Sequence, residues 1–271
     1  NYIGTSSDVI CVSSGTAALH LALQSCGIGY GDEVLFPSIT YIASAQAISG
    51  TGAKPIPCDI DANTGFLDLE DAKKRISNNT KAIMPVHYAS DSSSMEKVYK
   101  FAIENNLRVI EDAAHSFGSI RENKRIGFEG DLVCFSFDGI KNITSGEGGC
   151  LVTNDKKVLN MSKDIRLLGV TNESTKRYSG HRSWISDVKY QGWRYHMSDI
   201  NASIGRSQLK RFKYLSKRRR LLCKFYDEKF KNHKFIKFFK RDYSQEVPHI
   251  YVIKIPRLKN RELFRKKLSQ K

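Results

Sequence analysis

The chain lacks the features of a membrane protein or a secreted one. Its 271 residues contain no uninterrupted apolar run near the roughly 20 residues that cross a bilayer. Residues 1–8 have neither the basic stretch nor the apolar core of a secretory leader. These absences exclude a membrane-spanning helix from the predicted elements, and we expect a cytoplasmic protein.

Cysteine pairs at metal-ligand spacing are also missing. The six cysteines form no C-x-x-C pair and have no histidine at a ligand spacing nearby. Most stand inside apolar runs, where free cysteine behaves as a small hydrophobe. We therefore expect buried free thiols and no metal site. The six are Cys11, Cys26, Cys58, Cys134, Cys150 and Cys223.

Positive charge is abundant but unevenly distributed. The net charge is +16, and from Lys210 onward there are 22 Lys and Arg against 5 Asp and Glu. Such an excess is found on nucleic-acid-binding proteins, but no aromatic recognition pattern is interleaved with it. Lys217–Arg220 lie among leucine, phenylalanine and tyrosine, which favours a solvated helix face. A nucleic-acid-binding module is therefore the least favoured interpretation.

Short β-like runs alternate with helical patterns, which predicts a mostly parallel sheet of about seven strands sandwiched by helices. From Ser198 a helix leads into two further strands and a last helix. We predict a large unit over 1–205, and a linker helix with part of a small α+β domain over 206–271. The predicted strands are Val9–Val12, Glu33–Phe36, Pro55–Asp59, Ala82–Val86, Arg108–Glu111, Leu132–Phe137, Gly149–Thr153, Lys234–Phe239 and His249–Ile255. The predicted helices are Thr16–Ser25, Tyr41–Ser49, Asp68–Ile76, Met95–Glu104, Asp155–Leu167 and Asn260–Leu268.

Two segments place polar groups directly after predicted strands. In the first, Ser13–Thr16 opens a helix with the sequence SSGT. Free N–H groups and the helix dipole make such a terminus suited to an anion, and glycine permits close approach. An ordinary N-cap explains the same residues equally well.

In the second, VIEDAAH delivers Asp112 at the end of an apolar strand. Ligands of open α/β sheets gather at that end. The aspartate suits a metal, a catalytic base or a protonated ring nitrogen, and a helix cap is the alternative.

A third segment contains Lys141, between the strand-like run FSFD and the glycine-rich turn SGEGG. Desolvation in such a setting lowers a lysine pKa and permits covalent chemistry with carbonyl compounds. A surface lysine on a loop is the alternative, and the context of the other motifs must decide.

Five motifs in order resemble one family. They are SGTAALHLAL, GDEVLFPSITYIASAQAI, VIEDAAHSFGS, GDLVCFSFDGIKNITSGEGG and YQGWRYHMSDINASIG. Together they are similar to the DegT/StrS family of nucleotide-sugar aminotransferases, which use pyridoxal 5'-phosphate (PLP) and have the aspartate-aminotransferase-like fold, fold type I. The resemblance covers Asp8–Gln208. It implies a homodimer and makes 1–205 the PLP-binding unit.

The resemblance also implies roles for single residues. Lys141 takes the place of the Schiff-base lysine, and Asp112 that of the partner of the pyridine nitrogen. Gly15, Thr16 and Ser136 take phosphate-binding positions, Tyr41 the aromatic residue that stacks on the ring, and His115 a residue that contacts the ring or its hydroxyl. His196 stands where the family usually has Asn or Arg, a residue that reaches the phosphate in the neighbouring subunit.

The implied reaction transfers an amino group, usually from glutamate, to a keto sugar attached to a nucleotide, for amino-sugar synthesis of surface polysaccharide or lipopolysaccharide. Some relatives are dehydratases with histidine in place of the lysine, and Lys141 argues against that branch. Residues 171–192 lack periodicity and predict a functional loop. Its candidate substrate contacts are Arg177, His181, Arg182 and Trp184.

Two departures from the family pattern are evident. The family normally has some dozens of residues before the SGT strand and a longer small domain after Ile255. We therefore interpret the chain as shortened at both ends, including the N-terminal part of the PLP-binding unit. A non-catalytic or regulatory PLP-binding homologue is the alternative function.

Overall fold

A computed structural model describes residues 2–4, 8–170 and 187–270. Seven strands form its main sheet. They are β1 (Asp8–Val12), β2 (Glu33–Pro37), β3 (Lys54–Cys58), β4 (Thr80–Ile83), β5 (Arg108–Asp112), β8 (Leu132–Ser136) and β9 (Gly149–Thr153). Between β5 and β8, the chain forms a two-stranded hairpin of β6 (Ile120–Arg121) and β7 (Lys124–Arg125).

The strand order in the main sheet is β1-β9-β8-β5-β4-β2-β3. The neighbours from β8 to β3 pair in parallel, whereas β9 is antiparallel to both β1 and β8. Parallel strands require crossovers, and helices supply them here. The predicted α/β class with a mostly parallel, seven-stranded sheet is confirmed.

Helices cover both faces of the sheet. They are α1 (Gly15–Ser25), α2 (Ala43–Gly50), α3 (Leu69–Arg75), α4 (Met95–Glu104) and α5 (Lys156–Ile165). Side chains alternate along each strand. On β8, for example, Leu132 and Cys134 join an apolar cluster with α1 and α5, while Val133 and Phe135 join a cluster on the opposite face. The strands are therefore apolar on both sides, as buried parallel strands require.

The C-terminal part begins with the long helix α6 (Asp199–Phe230). It continues through the short strands β10 (Lys237–Phe238) and β11 (Ile253–Lys254) to α7 (Arg261–Ser269). The two-unit division at 205 remains a prediction, and its boundary falls within α6.

Several boundaries differ from the sequence expectation. Strand β4 ends at Ile83 rather than Val86, because Pro85 has no N–H to extend the ladder. Helix α2 begins at Ala43, not Tyr41, and no side chain caps it. The two C-terminal strands pair over only two residues each. Hairpin β6–β7 was not predicted, since two-residue strands carry no periodic pattern.

The cysteine expectation is only partly correct. All six cysteines are free, but Cys11 is exposed and Cys26 is half-buried. Strand β1 lies at the sheet edge with Ile10 and Val12 facing inward, so Cys11 faces out. Within residues 2–4, 8–170 and 187–270, none of the helices combines the length and the apolar character of a membrane span.

The solvated-face expectation for Lys217–Arg220 also holds only in part. Lys217 and Arg218 are exposed. Arg219 and Arg220 are half-buried and donate hydrogen bonds to main-chain carbonyl oxygens of Lys141, Glu246 and His249. These two arginines bind the C-terminal segment to the rest of the fold.

Candidate active site

A cavity of about 350 Å³ lies at the carboxyl ends of β5 and β8 and beside the start of α1. Seven of the eight predicted site residues line it. They are Gly15, Thr16, Tyr41, Asp112, His115, Ser136 and Lys141. Residues more than 120 positions apart in the chain therefore meet where open α/β sheets bind ligands. Their individual roles remain predictions.

The start of α1 forms one wall of this cavity. Ser14 caps the helix, its Oγ accepting a hydrogen bond from the N–H of Ala17 at 3.0 Å. A Cβ on Gly15 would lie 2.7 Å from Cβ of Ser136, so only glycine allows this approach to β8. The hydroxyl-bearing residues Ser14, Thr16 and Ser136 thus surround a helix N-terminus. This is a donor set suited to a phosphate.

Asp112 ends β5 with both carboxylate oxygens occupied. Its Oδ2 accepts a hydrogen bond from Oγ of Ser44 at 2.7 Å, and its Oδ1 accepts one from the N–H of Ala114 at 3.2 Å. The Ser44 hydroxyl lies 2.7 Å from Oγ1 of Thr40. The carboxylate is therefore held in one orientation at the cavity wall, as a partner for a ring cation must be.

Behind Asp112, the neighbouring Glu111 is fully buried in a polar network. Its Oε1 accepts a hydrogen bond from the hydroxyl of Tyr99 at 2.6 Å, and its Oε2 accepts one from Arg121 at 3.3 Å. Nε2 of His87 lies 2.9 Å from the same Oε2. The N–H of His87 also donates to the carbonyl oxygen of Asp112 at 3.0 Å. The network therefore fixes the end of the strand that carries Asp112.

Glu111→Gln should lower the free energy of unfolding by about 3–5 kcal/mol near neutral pH, because it leaves buried partners uncompensated. Burial raises the pKa of Glu111, but His87, Arg121 and Tyr99 outweigh it, so the pKa lies below 4.5. A depressed carboxyl pKa stabilises the fold above the unfolded-state pKa and ceases to do so as pH falls through the folded-state value.

Denaturation curves from pH 7 to pH 3 would measure both effects. The free energy of unfolding of the wild type should fall below about pH 4.5. That of Glu111→Gln should be lower already at pH 7 and should change less as the pH falls. Glu104→Gln, an exposed change on the neighbouring α4, is the matched control. Equal stability of the two variants at pH 7 would contradict this account.

Lys141 stands on the turn after β8, with its side chain half-buried. Its N–H donates to the carbonyl oxygen of Asp138 at 3.1 Å, and its own carbonyl oxygen accepts from Arg219 at 3.1 Å. Burial lowers the pKa of Lys141 below its ordinary 10.5, although the charges of Asp112 and Asp138 raise it. A larger share of the amine is therefore neutral, as nucleophilic attack on a carbonyl requires.

Two rings lie at different depths of the cavity. Tyr41 is 74% exposed at its mouth, free to meet a flat ligand. His115 is half-buried, and its Nδ1 accepts a hydrogen bond from the N–H of Ala89 at 3.4 Å. Tyr41 and His115, the two residues predicted to contact the cofactor ring, therefore line the same cavity. Tyr41 lies on its open side and His115 on its enclosed side.

His196 is the predicted site residue that does not line this cavity. It forms an isolated bridge with Val12, and the adjacent Tyr195 accepts a hydrogen bond from the N–H of Ser13 at 2.6 Å. Nδ1 of His196 is buried without a hydrogen-bond partner among the described residues. The four predicted substrate contacts Arg177, His181, Arg182 and Trp184 lie outside the described residues.

Sequence reasoning missed several residues of the site. Ser44 and Thr40 orient Asp112, and Asp138 and Glu147 line the cavity. Ser44 stands three positions after Tyr41 in the predicted helix, the spacing of one helix face, and this was the available signal. No short-range pattern marks Glu147, which the turn before β9 brings into the cavity.

Comparison with known proteins agrees with this geometry. Residues 1–271 match the DegT/DnrJ/EryC1/StrS aminotransferase family. The chain belongs to this family. It is 43% identical over 215 residues to GDP-perosamine synthase of Escherichia coli O157:H7, covering 79% of this chain and 56% of that protein. It is 36% identical over 247 residues to the spore coat polysaccharide biosynthesis protein SpsC of Bacillus subtilis, covering 91% of this chain and 64% of SpsC.

Solved structures show the same fold. The sugar aminotransferase Spr1654 of Streptococcus pneumoniae, described as putative and solved in its PMP form, has a TM-score of 0.90 and 28% identity. The alignment covers 99% of this chain and 73% of that one. The same protein has also been solved in its PLP form. The chain thus has the fold-type I architecture of DegT-family sugar aminotransferases, a PLP-dependent family.

The cavity of this DegT-family chain fits PLP. A helix N-terminus with three hydroxyl-bearing residues matches a phosphate, and a fixed carboxylate matches a protonated ring nitrogen. Lys141 supplies an amine with a lowered pKa. The close contact between Gly15 and Ser136 keeps the hydroxyl beside the helix terminus. Gly15, Thr16 and Ser136 would hold the phosphate, Asp112 the nitrogen, and Lys141 the aldehyde carbon.

Proposed function

We propose that the protein is a PLP-dependent aminotransferase that moves an amino group, from glutamate, to a keto sugar carried on a nucleotide. The observation that carries this proposal is the convergence of Lys141, Asp112 and the hydroxyl-lined start of α1 in one cavity. A lysine, a carboxylate and an anion site in this arrangement are what transamination with PLP uses. Membership of the family supports the reaction class.

When bound, PLP supplies an electron sink that stabilises negative charge on the carbon that gives or receives the amino group. The residues of this chain do the rest. The Asp112 carboxylate holds a proton on the ring nitrogen, with Ser44 fixing its orientation. Nζ of Lys141 serves as the base that moves a proton to and from the reacting carbon, which its lowered pKa favours.

The finer substrate assignment rests on relatives. One is named GDP-perosamine synthase, which points to a nucleotide-linked sugar, and another is named for spore coat polysaccharide biosynthesis. We accordingly place the reaction in amino-sugar synthesis for surface polysaccharide or lipopolysaccharide, in the cytoplasm. Residues 171–192 are proposed to meet the sugar and diphosphate, with Arg177, His181, Arg182 and Trp184 as candidates.

The test is a pair of assays on purified protein loaded with PLP. Glutamate alone should change the cofactor absorbance and release 2-oxoglutarate. A panel of nucleotide-linked keto sugars, with the ketone at C3 or C4, should then show which sugar accepts the amino group. Protein that binds PLP but releases no keto acid from any amino donor would contradict the enzymatic proposal and favour the non-catalytic alternative.

We further propose a homodimer with shared sites. Ile140, which lines the cavity, is 74% exposed, and Ile42, which stands between the lining residues Tyr41 and Ala43 in the chain, is 57% exposed. Exposed apolar groups gathered near a site mark an interaction surface. His196 lies outside its own cavity and is only half-buried, so part of its ring is open to serve the partner subunit's site.

Mixing two inactive variants tests the shared site. In a dimer of Lys141→Ala with His196→Ala, one site carries both defects and the other carries neither. Statistical exchange of equal amounts should therefore restore up to about a quarter of wild-type activity. Light scattering with and without PLP would give the mass.

Mixing Lys141→Ala with Asp112→Asn is the matched control, since both residues serve their own subunit's site and every mixed site keeps one defect. Exchange is verified with differently tagged chains. An active monomer, or no recovery when tagged subunits do exchange, would contradict the shared site.

A further inference from the structure

We infer that His249 is a positioning residue of this site, one that holds the His115 ring in place as a neutral hydrogen-bond donor at the cavity wall. This inference rests on the proposed function in one respect, the oxygen of the bound cofactor toward which His115 would donate. The arrangement of the two rings itself is independent of that function. His249 belongs to the C-terminal segment and was not among the residues predicted for the site.

The two imidazoles are in direct contact. Their ring centroids are 4.3 Å apart and their planes are inclined by 51°. His115 lines the cavity, so His249 supports it from behind. Nδ1 of His249 is buried and has no hydrogen-bond partner among the described residues, so hydrogen bonding at this atom does not account for the histidine's place. Its ring packs against His115 instead.

Main-chain hydrogen bonds fix His249 next to Lys141. The guanidinium of Arg219 donates to the carbonyl oxygens of both Lys141 and His249, each at 3.1 Å. The Ser90 hydroxyl accepts a hydrogen bond from the N–H of His249 at 3.3 Å and donates to the carbonyl oxygen of His115 at 2.5 Å. One guanidinium and one hydroxyl therefore join the C-terminal segment to both residues of the cavity wall.

The protonation of His115 follows from its other contact. Nδ1 of His115 accepts a hydrogen bond from the N–H of Ala89. A neutral imidazole whose Nδ1 accepts carries its proton on Nε2, and Nε2–H is then a donor. Ala89 and Ser90 have φ values of 52° and 73°, a left-handed conformation that residues with side chains seldom adopt. Such strain gathers at functional sites.

The surrounding groups oppose a charge on either ring. Burial lowers the pKa of His115 to about 2, and the neighbouring His249, Lys141 and His87 act in the same direction. Burial lowers the pKa of His249 to about 4, with Lys141 and Arg219 lowering it further and Asp138 raising it. Removing the His249 ring would admit water to His115 and release its orientation, because the packed face that excludes solvent would be gone.

The experiment follows His115 directly in the apoprotein. Protein labelled with ¹⁵N-histidine would be studied by long-range ¹H–¹⁵N NMR between pH 5.5 and 8, and the His115 signals assigned by their loss in His115→Gln. Wild-type His115 should show a neutral ring with Nε2–H throughout. In His249→Ala, His115 should show a mixture of tautomers and should titrate near the ordinary pKa of histidine. PLP binding to the apoprotein of this variant should weaken about three- to tenfold.

Matched variants separate positioning from general structure. His249→Phe keeps an aromatic ring against His115 and should preserve the Nε2–H tautomer, whereas His249→Asn, the second test if the alanine variant does not fold, should lose it. His233→Ala, an exposed histidine of the same C-terminal part, should change nothing at His115. An unchanged His115 signal in folded His249→Ala or His249→Asn, or a His249→Phe that loses the tautomer, would overturn the inference. Failure of wild-type protein to bind PLP would overturn the proposed function instead, because the tautomer is read without cofactor.

Discussion

Replacement of Lys141 by alanine is expected to lower transamination by at least 10³-fold, because in the proposed function one side chain supplies both the covalent attachment and the proton transfer. Wild-type protein loaded with PLP should absorb near the boundary between the ultraviolet and visible ranges. Reduction with borohydride should attach the cofactor irreversibly to Lys141. The variant should bind PLP only reversibly and lose that absorbance. Peptide mapping after reduction, with assays of glutamate turnover, would measure both effects.

Lys157→Ala is the matched control, since Lys157 is an exposed lysine on α5 away from the cavity. It should leave activity and labelling unchanged. Lys141→Ala should remain folded, because its hydrogen bonds to Asp138 and Arg219 come from main-chain atoms that alanine retains. Labelling of a different lysine in the wild type would refute the assignment, as would substantial turnover by Lys141→Ala.

The fold was largely predictable because its strands are buried on both faces. Runs such as Leu132–Ser136 are continuous in apolar residues and end at polar ones, so they are distinct from the amphipathic helices between them. The lengths of the C-terminal strands β10 and β11 were overestimated, since β-like composition does not determine how many residues pair with a neighbouring strand. Pairing there is limited to two positions.

The site was predictable where a strand end coincides with a motif. Asp112 ends β5, Ser13–Thr16 follows β1 directly, and Lys141 lies on the turn after β8, so the sheet itself brings them together. Ser44 and His249 were not predictable in this way. Ser44 reaches Asp112 from a neighbouring helix, and His249 reaches His115 from a segment more than 130 residues away. Such contacts depend on tertiary packing, which a single sequence does not reveal.

Asp112→Asn should lower transamination on the order of 10²–10³-fold while the fold is retained, because an amide has no charge with which to stabilise a protonated ring nitrogen. The asparagine is isosteric with the aspartate. Its Oδ1 can still accept from the N–H of Ala114, and its Nδ2 can donate to Oγ of Ser44 in place of the present bond. Thermal melting should therefore change little, and PLP should still bind, more weakly.

Two comparisons decide whether the loss arises from charge. Ser44→Ala removes the hydroxyl that orients the carboxylate but keeps the charge, so it should lose much less activity, about five- to tenfold for one hydrogen bond. Asp138→Asn changes a second carboxylate of the same cavity and should also have a smaller effect than Asp112→Asn. Steady-state assays with saturating glutamate, on protein whose cofactor content is measured first, separate loss of turnover from loss of PLP. The assignment of Asp112 is wrong if Asp138→Asn loses more transamination activity than Asp112→Asn, or if Asp112→Asn keeps full activity. In either case another acid serves the ring nitrogen.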